Sequence, residues 1–262
     1  MDISNHKNLP SERLGVGRRS TFTLSIDVSS KKVAWALALV ALCLTAVSMA
    51  GHFLRPVLGE VVRLFGVGSD TGIPAWYSSL ALFFASVLVM TIAAARKARG
   101  DRRYLYRWTF LSVIFLYLSA DEMLALHEKA SSTLVQPILK ATPYSSSALL
   151  NYPWIVLYGP LVLIFALAYL RFWLDLPTRI QLLFFVAGGL FVGGGIVVEV
   201  FNGWYAALYG TGDLVAATMT HFEELCEMLG VTVFIYALMS HIGSHLRVSE
   251  IQIRLYDDRH LE

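Results

Sequence analysis

Apolar residues gather along this chain into six stretches of about 20 residues each, at roughly 33–54, 76–95, 108–128, 153–173, 180–201 and 215–240. At a rise of about 1.5 Å per residue, a helix of that length crosses the roughly 30 Å of hydrocarbon in a bilayer. The fold class predicted is therefore all-α, a six-transmembrane-helix bundle with short tails. Three parts follow from it: an N-terminal segment over 1–32, the transmembrane domain over 33–240, and a C-terminal tail over 241–262. In the two tails the period changes from helical to two. TFTLSIDV at 21–28 and EIQIRLYD at 250–257 alternate apolar and polar positions, which reads either as a pair of half-buried strands or as disordered tails. PVLGEVVRLFG at 56–66 reads either as a short helix lying at the interface or as a solvated loop.

Composition agrees with the pattern. Of 262 residues, 56% are hydrophobic and 15% charged, and the mean hydropathy is +0.59. Soluble domains carry roughly 25% charge. The distribution of Lys and Arg adds an orientation. Seventeen of the 21 fall in the N-terminal segment, the 96–107 link, the link between the fourth and fifth spans, and the tail; the opposite side has only Arg55, Arg63, Lys129 and Lys140. The positive-inside rule then places both termini in the cytoplasm, N-in and C-in. The first 30 or so residues are polar, unlike a cleavable signal peptide. Nothing in the charge pattern points to nucleic acid. Cys43 and Cys226, each inside an apolar stretch, read as buried thiols.

Three stretches carry groups that lipid does not tolerate. The third ends in DEMLALHE, with Asp121, Glu122, His127 and Glu128; the fifth holds Glu199; the sixth holds His221, Glu223, Glu224 and Glu227 in HFEELCE. An ionisable side chain at the bilayer centre costs about 2.5–3.5 kcal/mol on insertion scales, so this many together require partners. Helical rise brings them to one level. Asp121 and Glu128 lie roughly 20 and 30 Å from the inner start of the third span, Glu199 roughly 28 Å from that of the fifth, and His221 and Glu227 roughly 9 and 18 Å from the outer start of the sixth. All sit in the outer half, with His52 near the outer end of the first span. On a continuous helix Asp121 and Glu128 are within about 20° of each other, while Glu223, Glu227, Glu224 and His221 share an arc of about 160°.

Crowded carboxylates in low dielectric cannot all stay ionised without a cation, and only Lys129 stands near them in sequence. Either some hold protons, as in a proton or cation pathway, or a divalent metal such as iron, manganese or zinc supplies the charge. The set resembles the carboxylate and imidazole ligands of di-iron and di-manganese helical bundles, although their Glu-x-x-His order is absent and His221 here precedes Glu224. The expected metal ligands are Asp121, His127, Glu128, Glu199, His221, Glu223 and Glu227, leaving Glu122 and Glu224 as catalytic general bases. His241 and His245 have i, i+4 spacing but no third ligand, and read as interfacial histidines. Tyr152, Trp154, Trp204 and Tyr205 fall where interfacial anchors do. Gly189 and Gly193 form a small-xxx-small pair that predicts close packing beside Glu199.

The pattern DE-x4-HE at 121–128, the lone Glu199, and EE-x2-EM at 223–228 resembles a family of uncharacterised bacterial multipass membrane proteins, over about residues 110–240. That resemblance implies a multi-pass protein of the bacterial cytoplasmic (inner) membrane, in contact with the lipid bilayer, and supports the acidic motif residues while adding no mechanism. Three functions stay open. The protein is an enzyme using metal on an unknown small-molecule or lipid substrate, a proton- or cation-coupled carrier, or a scaffold or sensor. No G-x-S-x-G motif supports a serine hydrolase.

Overall fold

The computed structural model describes residues 29–58, 64–66, 72–141, 153–210 and 214–245. Both predicted strands lie outside the described residues. Of the 56–66 stretch, the first three residues continue the first helix, 64–65 form one 3₁₀ turn, and 59–63 lie outside the described residues.

The helices are α1 (Ser30–Leu58), α2 (Ile73–Ala98), α3 (Leu105–Leu124), α4 (Leu126–Leu134), α5 (Gln136–Lys140), α6 (Pro153–Leu174), α7 (Thr178–Val192), α8 (Glu199–Tyr209) and α9 (Leu214–His245), with a π-helical turn at Gly193–Val198 joining α7 to α8. Five helical segments among the described residues are long and apolar enough to cross a membrane, and α3 with α4 makes a sixth if that bent pair is one span. The chain is thus an all-α, multi-pass bundle. Leu163, Ile164 and Leu167 of α6 and Leu182 and Phe185 of α7 are strongly exposed. A continuous apolar exterior of this kind is stable in hydrocarbon and not in water.

α9 is the axis. α1, α2, α7, the π turn and α8 all pack on it, α3 lies along α2, and α6 rests against α4. The core joins Leu82, Val89 and Ile92 of α2 to Trp108 of α3, Ile180 of α7, and Ile235 and Leu238 of α9. Cys226 is half-buried, but Cys43 is exposed, contrary to the expectation of two buried thiols; α1 meets only part of its circumference with other helices.

Two serine clasps register α3 on α2. Ser79 Oγ donates to Ser119 O (2.7 Å) and Ser119 Oγ to Ser79 O (2.8 Å); Ser86 and Ser112 repeat the exchange at 2.8 and 2.9 Å. Small residues let the backbones approach, and in lipid each hydroxyl needs a protein acceptor. The upper clasp sits two residues before Asp121 and fixes its depth.

The third apolar stretch is not one helix. Ala125 adopts a left-handed conformation (φ 45°, ψ 49°), and α4 departs from α3 at 79°. Sequence periodicity runs through the break because local capping, not patterning, makes it. Asp121 Oδ1 accepts the His127 backbone N–H (2.7 Å), and Lys129 Nζ donates to Leu124 O (2.5 Å) at the end of α3. A carboxylate at a helix start and an ammonium at a helix end both complement the dipole. Asp121 and Glu128 therefore do not share a helix face, and Glu128 on α4 is exposed.

At the opposite end of the bundle, Arg103 donates to Asp175 Oδ2 (2.6 Å) and the Tyr104 hydroxyl donates to the same oxygen. The Tyr104 hydrogen bond, followed by the Arg103 charge, holds the Asp175 carboxyl below the usual carboxylate range. These contacts tie the start of α3 to the α6–α7 link.

Candidate functional site in the polar interior

Ala125 separates the acidic motif into two parts. Glu122, on the last turn of α3, lies near Ser78 of α2 and interacts electrostatically with Glu224, Asp121 and His127. His127, in the first turn of α4, presents Nδ1 to Asp121 Oδ2 at 2.7 Å. With the proton on Nδ1, the imidazole lone pair is on Nε2. Asp121 therefore acts as the group that orients His127, as second-sphere carboxylates orient metal-binding or catalytic imidazoles. His127 packs edge-on against Trp154 (5.2 Å between ring centres) and Tyr158 (6.3 Å), and Tyr158 shares a hydroxyl–hydroxyl hydrogen bond with Tyr117 (2.8 Å).

Glu199 follows the π turn directly. A turn with i→i+5 bonding holds an extra residue and re-aims what comes next, which is why such turns recur at functional sites. Here the indole N–H of Trp154 donates to Glu199 Oε1 at 3.0 Å. Trp154 is thus a partner of the site rather than a plain interfacial anchor; the indole N–H can only donate, so its position in sequence did not disclose an acidic acceptor 45 residues away.

α9 comes close because glycines face it. A Cβ on Gly194 would meet Glu223 O at 2.9 Å and the Cys226 Cβ at 3.0 Å, and one on Gly195 would run into the Glu227 carboxylate. Gly189 and Gly193 have nothing within 4 Å of the corresponding position, so the predicted pair is not the packing pair. Ala187, Phe191 and Gly194 mark the helix face that meets α9, and Gly189 is about 200° from Ala187 at 100° per residue.

This packing gathers the glutamates. The strongest charge interactions of Glu227 are with Glu224, Glu122, Glu223 and Glu199, and those of Glu223 are with Glu199 and Glu224. Glu199 interacts with His127, Glu128 and Glu224. Carboxylates from α3, α8 and α9 share one region, with His127 the basic group among the named partners. Lys129 serves the α3 terminus instead.

His221 stands apart from that set. Its Nδ1 faces Ala217 O at 2.6 Å and its Nε2 faces Ser48 Oγ at 2.9 Å, so Nδ1–H donates and Nε2 accepts from the serine. Both nitrogens join α9 to itself and to α1. His52 has no described side chain. His241 is buried and stacked on Trp108 (5.7 Å), more deeply placed than an interfacial histidine. Among the described residues, no three His, Cys, Asp or Glu side chains converge tightly enough to hold a metal ion. Sequence reasoning missed Ser78, Trp154 and the serine clasps; the spacing of Ser79 and Ser86 against Ser112 and Ser119, seven apart in both apolar helices, was the available signal.

Fold and interior together define a multipass helical membrane protein with a polar core. The chain belongs to the family described as Domain of unknown function (DUF8692), whose model matches residues 34–242. No curated protein and no solved structure matches it.

Proposed function

We propose that the protein takes up a divalent cation from the outer side of a bacterial cytoplasmic membrane, on the carboxylates of Glu122, Glu199, Glu223, Glu224 and Glu227 and on Nε2 of His127. Asp121 orients the imidazole, and Glu128 and His221 lie outside the first coordination sphere. What supports this reading is that glutamates from three helices lie near enough to act on one another electrostatically, with His127 as their named basic partner. Buried like charges need neutralising, and oxygen and imidazole donors suit manganese, iron or zinc. Carboxylate and imidazole donors bind a cation only when deprotonated, so loading releases a proton from each donor that carries one.

One further reading rests on the Asp121–His127 pair. A carboxylate at 2.7 Å that fixes the tautomer prepares Nε2 for proton transfer. In that case Glu122 or Glu224 shares the proton with His127, and the protein acts on a membrane or extracytoplasmic substrate or moves protons across.

Elemental analysis of the purified protein after manganese, iron and zinc loading tests the main reading. Wild type should retain stoichiometric metal, and Glu199→Gln and Glu224→Gln should both lose it. Equal retention by all three proteins, or none by wild type, would remove the metal site.

A further inference from the structure

A second polar site lies at the other end of the bundle. The end of α2, the link after it, the α6–α7 link and α9 enclose a cavity of about 230 Å³, lined by Arg96, Arg99, Asp101, Asp175, Pro177 and His241 among others. That is smaller than pockets that enclose drug-sized ligands, roughly 300–1,000 Å³.

The two acids on its wall are already spoken for. Arg96 binds Asp101 at 2.7 Å, and Asp175 accepts from Arg103 and Tyr104. Arg99 stands on the cavity wall and Arg171 lies within electrostatic reach of Asp175, so basic groups outnumber the two acids. Arg107 is committed to Ala168 O and to the face of Tyr169. Arg99 is exposed at the end of α2 and reaches the cavity wall. Arg96 bears on the site most directly. Its Nε is enclosed and has no hydrogen-bond partner among the described residues, although its Nη2 binds Asp101 and Arg103 O. Enclosed donors are normally satisfied, and with Nη2 committed the Nε–H calls for one acceptor oxygen, which an anion supplies most strongly. α7 begins at Thr178, directly after Pro177, so the positive end of its dipole opens on the same wall.

We infer that this cavity binds a phosphate group through Arg96 and Arg99, the group being either the phosphodiester of an anionic lipid headgroup or free phosphate. The site is independent of the acidic interior. Basic pockets between transmembrane helices are suited to anionic headgroups, and each arginine near such a group contributes about five-fold in affinity.

The test uses the full-length protein in a neutral detergent, titrated calorimetrically with short-chain phosphatidylglycerol, short-chain phosphatidylcholine and inorganic phosphate. Arg99→Gln changes an exposed side chain and should leave the fold intact; Lys97→Gln and Arg102→Gln remove equal charge outside the cavity. Phosphatidylglycerol or phosphate should bind wild type and both controls alike, and Arg99→Gln about five-fold more weakly. A preference for phosphatidylglycerol over phosphatidylcholine of about ten-fold or more identifies the lipid. Phosphate binding with the same Arg99 dependence and no such preference identifies the free anion. Absence of binding by wild type, equal binding of the two lipids with none of phosphate, or equal weakening in Lys97→Gln or Arg102→Gln would overturn the site.

Discussion

Gly230 holds α9 against α7, and replacing it by alanine should separate them. The added Cβ would stand 2.8 Å from Phe191 N and 2.9 Å from Ala187 O, both backbone atoms that no rotamer change can move. Ordinary contacts of this kind need about 3.5 Å or more, so the helices must part by roughly 0.6 Å. Overpacking on that scale costs about 1–3 kcal/mol. Alanine in place of glycine returns about 1 kcal/mol of helix propensity, which obscures the effect in a single variant. Gly189→Ala removes the ambiguity, because it gains the same propensity with nothing within 4 Å of the new methyl. The difference between the two variants should therefore be about 1–3 kcal/mol, with Gly230→Ala the less stable. Reversible unfolding in mixed micelles of rising sodium dodecyl sulfate fraction, followed by far-ultraviolet circular dichroism, measures it. Equal stability of the two would refute the packing argument and, with it, the reason α9 brings Glu227 beside the π turn.

Two other expectations follow from the helix ends. Ala125 pays about 1–2 kcal/mol for its left-handed conformation, so Ala125→Gly should be neutral to slightly stabilising and Ala125→Val clearly destabilising; thermal unfolding that ranks them the other way would mean α3 and α4 are not broken there. Asp175 has a folded-state pKa below its unfolded value of about 3.9, so its contribution is complete above that value and disappears as pH falls through the lower folded one. Asp175→Asn should lower the melting temperature at pH 7, and the gap from wild type should close below about pH 4; a gap independent of pH would show that the Arg103 and Tyr104 contacts do not act through charge.

Much of the architecture was legible because a bilayer imposes length and apolarity on every span. Five of the six predicted spans appear as helical segments, and the third fails as a straight helix for a local reason: Asp121 prefers to cap α4, and hydrophobic period carries no record of that. The acidic residues stood out for the same reason the spans did, since lipid makes ionised groups expensive. Their neighbours did not. Trp154 was indistinguishable from an interfacial aromatic, and His221 from a ligand, until contacts with Glu199 and Ser48 were visible. Glycine spacing drew attention to Gly189 and Gly193, yet spacing cannot say which helix face meets a neighbour, and Gly194 and Gly195 are the ones that do.

Proton release during cation uptake probes the polar interior most directly. Manganese(II) added to the detergent-solubilised protein in weak buffer with a pH indicator should acidify the medium in proportion to bound metal, up to saturation. Glu227→Gln, placed where four other glutamates act on it, should release fewer protons and bind more weakly. No acidification by wild type, or the same acidification by Glu227→Gln, would contradict a shared carboxylate site in which an entering cation replaces protons.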